Sequence, residues 1–117
     1  MGSEMCIRDR YMDSATESIR VARLRSQMLF QRDIAYVMLL HFGGFEAVML
    51  PRLIDLLHAE GFQLVTLPEA ESDAVYGMDP HLANAGGTLL EDLMQVSALS
   101  DVHHTETPLK ELDRLCR

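Results

Sequence analysis

Tryptophan is absent from this sequence, lysine occurs once and cysteine occurs twice. The two cysteines, Cys6 and Cys116, lie at opposite ends of the chain. Cys6 belongs to an N-terminal segment that we set aside below, so we expect Cys116 to be a lone thiol. A lone thiol forms neither an intramolecular disulfide nor a cysteine metal cluster, and the sequence therefore predicts neither of them.

Positive charge and long apolar runs are also scarce. Ten basic residues stand against eighteen acidic ones, which gives a net charge of −8 at pH 7. Nucleic-acid binding needs clustered Lys and Arg against the phosphates, so we expect no nucleic-acid partner. No apolar run approaches the roughly 20 residues that cross a bilayer, so we expect no membrane span.

The first ten residues resemble a translated sequencing adapter. Residues 1–10 can be back-translated to GTG GGC TCG GAG ATG TGT ATA AGA GAC AG and one further base, a string similar to transposase-type adapters. Such segments are set aside before the fold is considered. We therefore predict that 1–10 is an artefact, that the gene continues upstream of Tyr11, and that the true N-terminus is missing. A short natural extension is the alternative.

The first half of the remaining chain shows helical and strand-like patterns in turn. Ser14 and Glu17 form a capping box, which predicts a helix over about 15–30. The run 34–40 is short and continuously apolar, which is typical of a strand buried on both faces. Apolar residues at helical spacing then predict a helix over about 50–57.

Two breaker residues and a further apolar run complete this half. Pro51 falls in the first turn of the predicted helix, where its missing amide hydrogen costs little, and Gly61 closes that helix. Residues 62–66 read as a second short strand. The order helix, strand, helix, strand predicts an α/β fold with about two parallel strands and four to five helices.

Capping boxes in the second half of the chain predict where short helices begin. Two Thr-x-x-Glu boxes, at 66–69 and 88–91, open short helices, the first running to about Asp73. Gly and Pro residues make a loop of 77–87 between them. A last short helix is predicted over 107–115.

His41 is the residue best placed for chemistry. It follows the C-terminal end of the predicted strand 34–40, and ligands of parallel α/β folds gather at that end of the sheet. A histidine there can donate or accept a proton near neutral pH. A strand-end histidine bonded to a neighbouring carbonyl is the alternative, and position alone favours neither. His103 and His104 near Asp101 are better read as a solvated tail, because adjacent histidines seldom converge on one metal.

Three segments, taken in order, resemble the final third of the polysaccharide deacetylase (NodB-homology) family. Residues 37–41 form a hydrophobic strand ending in Leu-x-His, and 49–57 form an amphipathic helix. Residues 61–70 then match the pattern Gly-aromatic-x-Leu-Val-Thr-Leu-x-Glu. The resemblance implies the C-terminal part of a deacetylase-like domain over 11–76, followed by a helical tail over 77–117.

The resemblance implies the C-terminal fragment of a distorted (β/α) barrel and a metal-dependent carbohydrate esterase that removes acetyl groups from acetylated glycans. Family members hold a divalent metal, often zinc, with one Asp and two His, and the metal activates a water molecule. By this match His41 is the general acid that protonates the departing amine, and Leu39 lines the pocket for the acetyl methyl. The family is often exported, but the sequence leaves the localisation of this protein open.

Several motifs of the family are missing from this sequence. The Asp motif and the His-x-x-x-His motif lie upstream of the matching segments and do not occur here, and Phe42 stands where an Asp commonly follows the histidine. The chain alone should therefore hold no metal and be inactive. We also expect the apolar run 34–40 to make the isolated chain self-associate. The alternative function is a small acidic, non-catalytic α/β interaction module.

Overall fold

A computed structural model describes residues 3–83, 86–103, 114 and 116. The helices are α1 (Ser3–Phe30), α2 (Gly44–Ala59), α3 (Leu67–Glu71) and α4 (Leu89–Val96), with a 3₁₀ helix at Ala74–Gly77. Two compact units are present: unit 1 takes its described residues from Met1–Ile19, Leu39–Gln63 and His104–Arg117, and unit 2 from Arg20–Met38 and Leu64–His103. None of the described helices is both long and apolar enough to cross a membrane.

The predicted α/β fold is wrong, because the described residues form helices and no strand. Neither 34–40 nor 62–66 pairs with another extended segment, so the described part contains neither the two parallel strands nor a fragment of a (β/α) barrel. Seven apolar residues in a row have no periodicity that distinguishes a buried strand from an uncovered segment. The backbone is also engaged elsewhere, since the Ala35 amide donates to the Asp73 carboxylate at 2.9 Å.

Helix α1 is longer than the sequence pattern predicts. It begins at Ser3, so Ser14 and Glu17 lie inside the helix and do not cap its start. Residues 3–13 contain neither Gly nor Pro. Within them, Arg8 forms an ion pair of 2.6 Å with Glu4, one helical turn earlier. A capping box marks a helix start only where the preceding chain leaves the helical path, and here it does not.

Cys6 and Cys116 form a disulfide within unit 1. The expectation that Cys116 is a lone thiol is therefore wrong. It failed because residues 1–10 were set aside, and because a separation of 110 residues along the chain says nothing about distance in space. The bridge closes almost the whole chain into one covalent loop.

Helix α2 begins earlier than predicted and places a proline in its interior. Its first residue is Gly44, so Pro51 lies two turns into the helix and not in the first turn. The end was predicted correctly. Gly61 adopts a positive φ of 87°, and its amide donates to the His58 carbonyl at 3.0 Å. A left-handed glycine of this kind is a common way to satisfy the last carbonyls of a helix.

Replacing Pro51 by Ala should raise the free energy of unfolding by about 1–3 kcal/mol, because an interior proline removes one helical hydrogen bond and crowds the preceding turn. Urea unfolding followed by circular dichroism measures the change. Pro68→Ala is the matched control, since Pro68 occupies the first turn of α3 and its replacement should be close to neutral. An unchanged midpoint for Pro51→Ala would place Pro51 at a helix start instead.

Both predicted threonine caps are confirmed, each through its hydroxyl. The Thr66 hydroxyl accepts from the Glu69 amide at 3.4 Å and begins α3, and the Thr88 hydroxyl accepts from the Glu91 amide at 3.2 Å and begins α4. Helix α3 ends at Glu71, slightly before the predicted end. The predicted helix over 107–115 lies almost wholly outside the described residues.

The apolar core of unit 2 forms where helices and the 3₁₀ helix meet. Ile34, Val75 and Leu93 are buried together. Partly buried side chains pack against them, namely Leu29, Phe30, Tyr36, Tyr76, Leu89 and Leu90. Ile34, predicted as the first residue of a strand, is thus a core residue of a helical unit. The last four residues of its run, 37–40, are exposed, and Leu39 among them is 95% exposed.

Candidate functional site

The two residues that the family resemblance singles out lie on the surface of unit 1. His41 is exposed in the irregular segment that precedes α2, and its side chain makes no hydrogen bond or ion pair with the described residues. Leu39 is 95% exposed and lines no pocket in the described part of the chain. The imidazole is therefore accessible, while its predicted partners in catalysis are not assembled around it.

A metal centre does not fit the residues that the structure describes. No group of three or more His, Cys, Asp or Glu side chains among them could hold an ion. Asp101, near the two histidines of the tail, is engaged by Arg25 through two hydrogen bonds of 3.0 and 3.1 Å. His104 lies outside the described residues. The carboxylate that would anchor a metal at the tail is thus already part of an ion pair.

The densest polar cluster of unit 2 centres on Asp73, which sequence reasoning missed. Its carboxylate accepts two hydrogen bonds from the Arg32 guanidinium, at 2.6 and 2.8 Å. It also accepts from the backbone amides of Ala35 and Val75, at 2.9 and 3.0 Å. The bond to Val75, two residues on, caps the 3₁₀ helix and was the one signal available in the sequence.

The hydrogen bonds and charges of this cluster favour the ionised form of the Asp73 carboxyl. The hydrogen bonds from Arg32, and then from the Val75 amide, hold the pKa of Asp73 well below its usual range, although burial opposes them. The hydrogen bonds to Asp73 raise the pKa of Arg32. Both oxygens of Asp73 are occupied, and its side chain is 11% exposed. The carboxylate therefore holds the segment after α1 against the 3₁₀ helix and has no lone pair directed at a substrate.

Two tyrosines strengthen the attachment of the segment after α1 to the 3₁₀ helix. The Tyr36 hydroxyl donates to Asp33 at 2.6 Å, and the Tyr76 hydroxyl donates to the Ala35 carbonyl at 2.5 Å. Burial, with the hydrogen bond to Asp33, raises the pKa of Tyr36 to about 12, and burial also raises the pKa of Tyr76. Both phenols stay protonated at neutral pH, so they act as donors and not as bases.

Ser26 connects α1 to the segment that follows it. Its hydroxyl donates to the Arg32 carbonyl at 2.6 Å and accepts from the Ile34 amide at 3.0 Å. The side chain is fully buried. Both partners lie in the segment after α1, so this serine satisfies backbone groups that no helix or strand pairs.

A second ion-pair cluster of unit 2 surrounds Arg25. This arginine is buried on α1, and besides Asp101 it lies 3.9 Å from the carboxylate of Glu91 on α4. Asp101 also accepts from the Val102 amide at 2.7 Å. Arg20 adds a hydrogen bond to the His103 carbonyl at 3.1 Å. These contacts fix the chain after α4 along α1, which is a structural role.

Asp73→Ala should lower the free energy of unfolding by about 2–4 kcal/mol, because it leaves two partly buried amides and one guanidinium without their acceptor. The pKa of this carboxyl is lower in the folded than in the unfolded protein, where it is about 3.9. Its stabilisation is therefore complete above about pH 5, begins to fall as the pH drops below about 4, and is lost in full only below the lowered pKa of the folded state. Urea titrations at pH 7 and pH 3 test both statements.

The matched control for this variant is Asp55→Ala on α2. Asp55 is exposed, so its loss should change stability by no more than about 0.5 kcal/mol. If Asp73→Ala and Asp55→Ala cost the same at pH 7, the Asp73 cluster contributes nothing to stability. A gap between them that persists unchanged at pH 3 would mean that folding does not lower the pKa of Asp73.

Comparison with protein-family models, with curated proteins and with solved structures finds no match in any of the three.

Proposed function

We propose that this chain is the C-terminal part of a metal-dependent carbohydrate esterase that removes acetyl groups from N-acetylated glycans, with His41 as the general acid. The observation that carries the proposal is the ordered series of three segments, 37–41, 49–57 and 61–70, that resembles the polysaccharide deacetylase family. The proposal rests on these residues and not on the fold, which is helical in the described part.

The exposure of the first matching segment supports the proposal. Leu39 is almost fully exposed, and Val37, Met38 and Leu40 are each exposed by two fifths or more. An uncovered apolar run of this length is typical of a surface that another part of a protein covers. We propose that an upstream portion of the parent covers this run. In its absence the same run favours self-association of the isolated chain.

The accessible imidazole of His41 fits the role of a proton donor. A general acid must reach the leaving nitrogen of the substrate within hydrogen-bond distance, which an internally bonded histidine could not do. His41 has no internal partner among the described residues. The metal that the family uses would have to be held by residues of the parent, since those described here do not fit it. The chain alone is therefore proposed to be inactive.

The second candidate is a small acidic module that binds other proteins without catalysis. The helical fold and the structural use of both ion-pair clusters favour it, because their carboxylates are committed to internal arginines. This module is helical in the described residues, and not α/β as the sequence predicted. The two candidates differ in what precedes Tyr11 in the gene.

Reading the genomic locus upstream of the Tyr11 codon tests the proposal. Mechanically sheared DNA should be used, so that no transposase adapter enters the library. We expect the codons of 1–10 to be absent and the reading frame to continue upstream through an Asp-Asp motif and a His-x-x-x-His motif. A start codon at or near Tyr11 preceded by non-coding DNA would overturn the esterase proposal and leave the interaction module.

A further inference from the structure

The segment just before α2 is the most exposed apolar part of the described chain. The sequence has four phenylalanines and three tyrosines, and all seven lie among the described residues. Six of them are partly buried, whereas Phe42 is 108% exposed, which is the full exposure of an extended peptide. Leu39, three residues earlier, is 95% exposed. These two side chains are the most exposed large apolar groups described in the molecule.

The backbone around Phe42 is equally free. Residues 39–42 have no regular secondary structure and, within the described part, enter no hydrogen bond. Gly43, which follows, is in an extended conformation at the start of α2. Proteases bind their substrates as extended strands through main-chain hydrogen bonds, so residues 39–42, whose amides and carbonyls are unpaired in the described part, can bind without unfolding. After the bond, the Gly43 carbonyl accepts from the Ala47 amide at 3.1 Å and Gly44 begins α2, so only the first turn of α2 has to open.

We propose that 39–43 is a proteolytic processing site for an endopeptidase whose primary pocket takes an aromatic side chain, with Phe42–Gly43 as the scissile bond. Phe42 fills the apolar primary pocket, as aromatic residues do in chymotrypsin. Leu39 adds a second apolar anchor, and the two glycines after the bond offer no side chain to obstruct the enzyme. Water adds across the bond, leaving a carboxylate on Phe42 and an amine on Gly43.

The products are predicted to stay together until the disulfide is reduced. Cleavage gives the pieces 1–42 and 43–117, and Cys6 lies in the first while Cys116 lies in the second. Without reductant the chain should therefore gain only the mass of one water molecule. With reductant it should separate into the two pieces. This inference is argued for the 117-residue chain, from its exposure and backbone freedom alone. In the parent of the esterase proposal, the upstream portion that covers Leu39 would also cover this bond.

Limited digestion of the full chain with chymotrypsin, followed by mass spectrometry of early time points, tests the site. We expect the first cut after Phe42, at a rate about tenfold or more above any other, because sites in helices are cut only in their rare open states. Phe42→Ser should abolish this cut, and its exposed position means that the fold is retained. Phe62→Ser, at a partly buried aromatic residue, should leave the first cut unchanged.

Two results would overturn the proposal. One is a first cut at any bond other than Phe42–Gly43 in the wild-type chain. The other is a Phe42→Ser variant that is digested at the same rate and in the same order as the wild type. Circular dichroism of both variants before digestion ensures that a change in the pattern comes from the site and not from unfolding.

Discussion

Replacing His41 by Ala in the full-length parent should lower kcat by roughly 10²–10⁴-fold, the range expected for the loss of a general acid. The proposal assigns His41 to proton donation and not to metal binding, so the zinc content of the purified variant should stay unchanged. Release of acetate from an N-acetylated chitooligosaccharide measures the rate. Atomic absorption measures the metal, and together they separate the two roles.

His58→Ala provides the matched control for this experiment. His58 is an exposed histidine near the end of α2, and it belongs to none of the residues that the resemblance places in the site. Its replacement should leave kcat within about twofold, as expected for a surface position without a special role. Loss of zinc from the His41 variant, or a kcat equal to that of the wild type, would contradict the general-acid assignment.

Removing the disulfide should lower the free energy of unfolding of this chain by about 4 kcal/mol. The reason is the size of the loop, since Cys6 and Cys116 are 110 residues apart and a closed loop of that length greatly restricts the unfolded chain. Cys6→Ser with Cys116→Ser is the variant to make. Urea unfolding at low protein concentration gives the change, with mass spectrometry of unreduced peptides to confirm the bridge in the starting material.

The control for the disulfide uses the reduced wild-type chain. Its unfolding midpoint should coincide with that of the double serine variant, because both lack the cross-link and differ little otherwise. Two titratable thiols in the unreduced protein would show that the bridge does not form. Equal stability of the oxidised and reduced chains would show that it forms without stabilising the fold.

The adapter hypothesis makes the origin of this bridge important. If the codons of 1–10 come from an adapter, the natural protein has no Cys6, and the disulfide belongs only to the chain as translated here. A version that starts at Tyr11 would then leave Cys116 as a free thiol. It would also lose the Asp9 carboxylate, which lies 3.7 Å from the Arg52 guanidinium. We expect that version to be less stable than the oxidised 117-residue chain by the disulfide contribution.

Local signals in the sequence were reliable where the physics is local. The Thr-x-x-Glu boxes at 66–69 and 88–91 fixed the starts of α3 and α4, because each threonine bonds an amide only three residues away. Gly61 fixed the end of α2, because only a residue without a side chain adopts a positive φ readily. The box at Ser14 failed for the converse reason, since nothing in the preceding residues interrupts α1.

Composition and local pattern thus determined the acidic charge, the lack of a membrane-crossing helix among the described residues, and the caps of two helices. The accessibility of His41 was left open by the sequence and was decided by the tertiary structure. Tertiary structure alone decided that 34–40 is no strand, that Asp73 organises a buried cluster with Arg32, and that Cys6 reaches Cys116. The last two join residues far apart in the sequence. Such pairings depend on where the whole chain packs, and neither periodicity nor spacing encodes that.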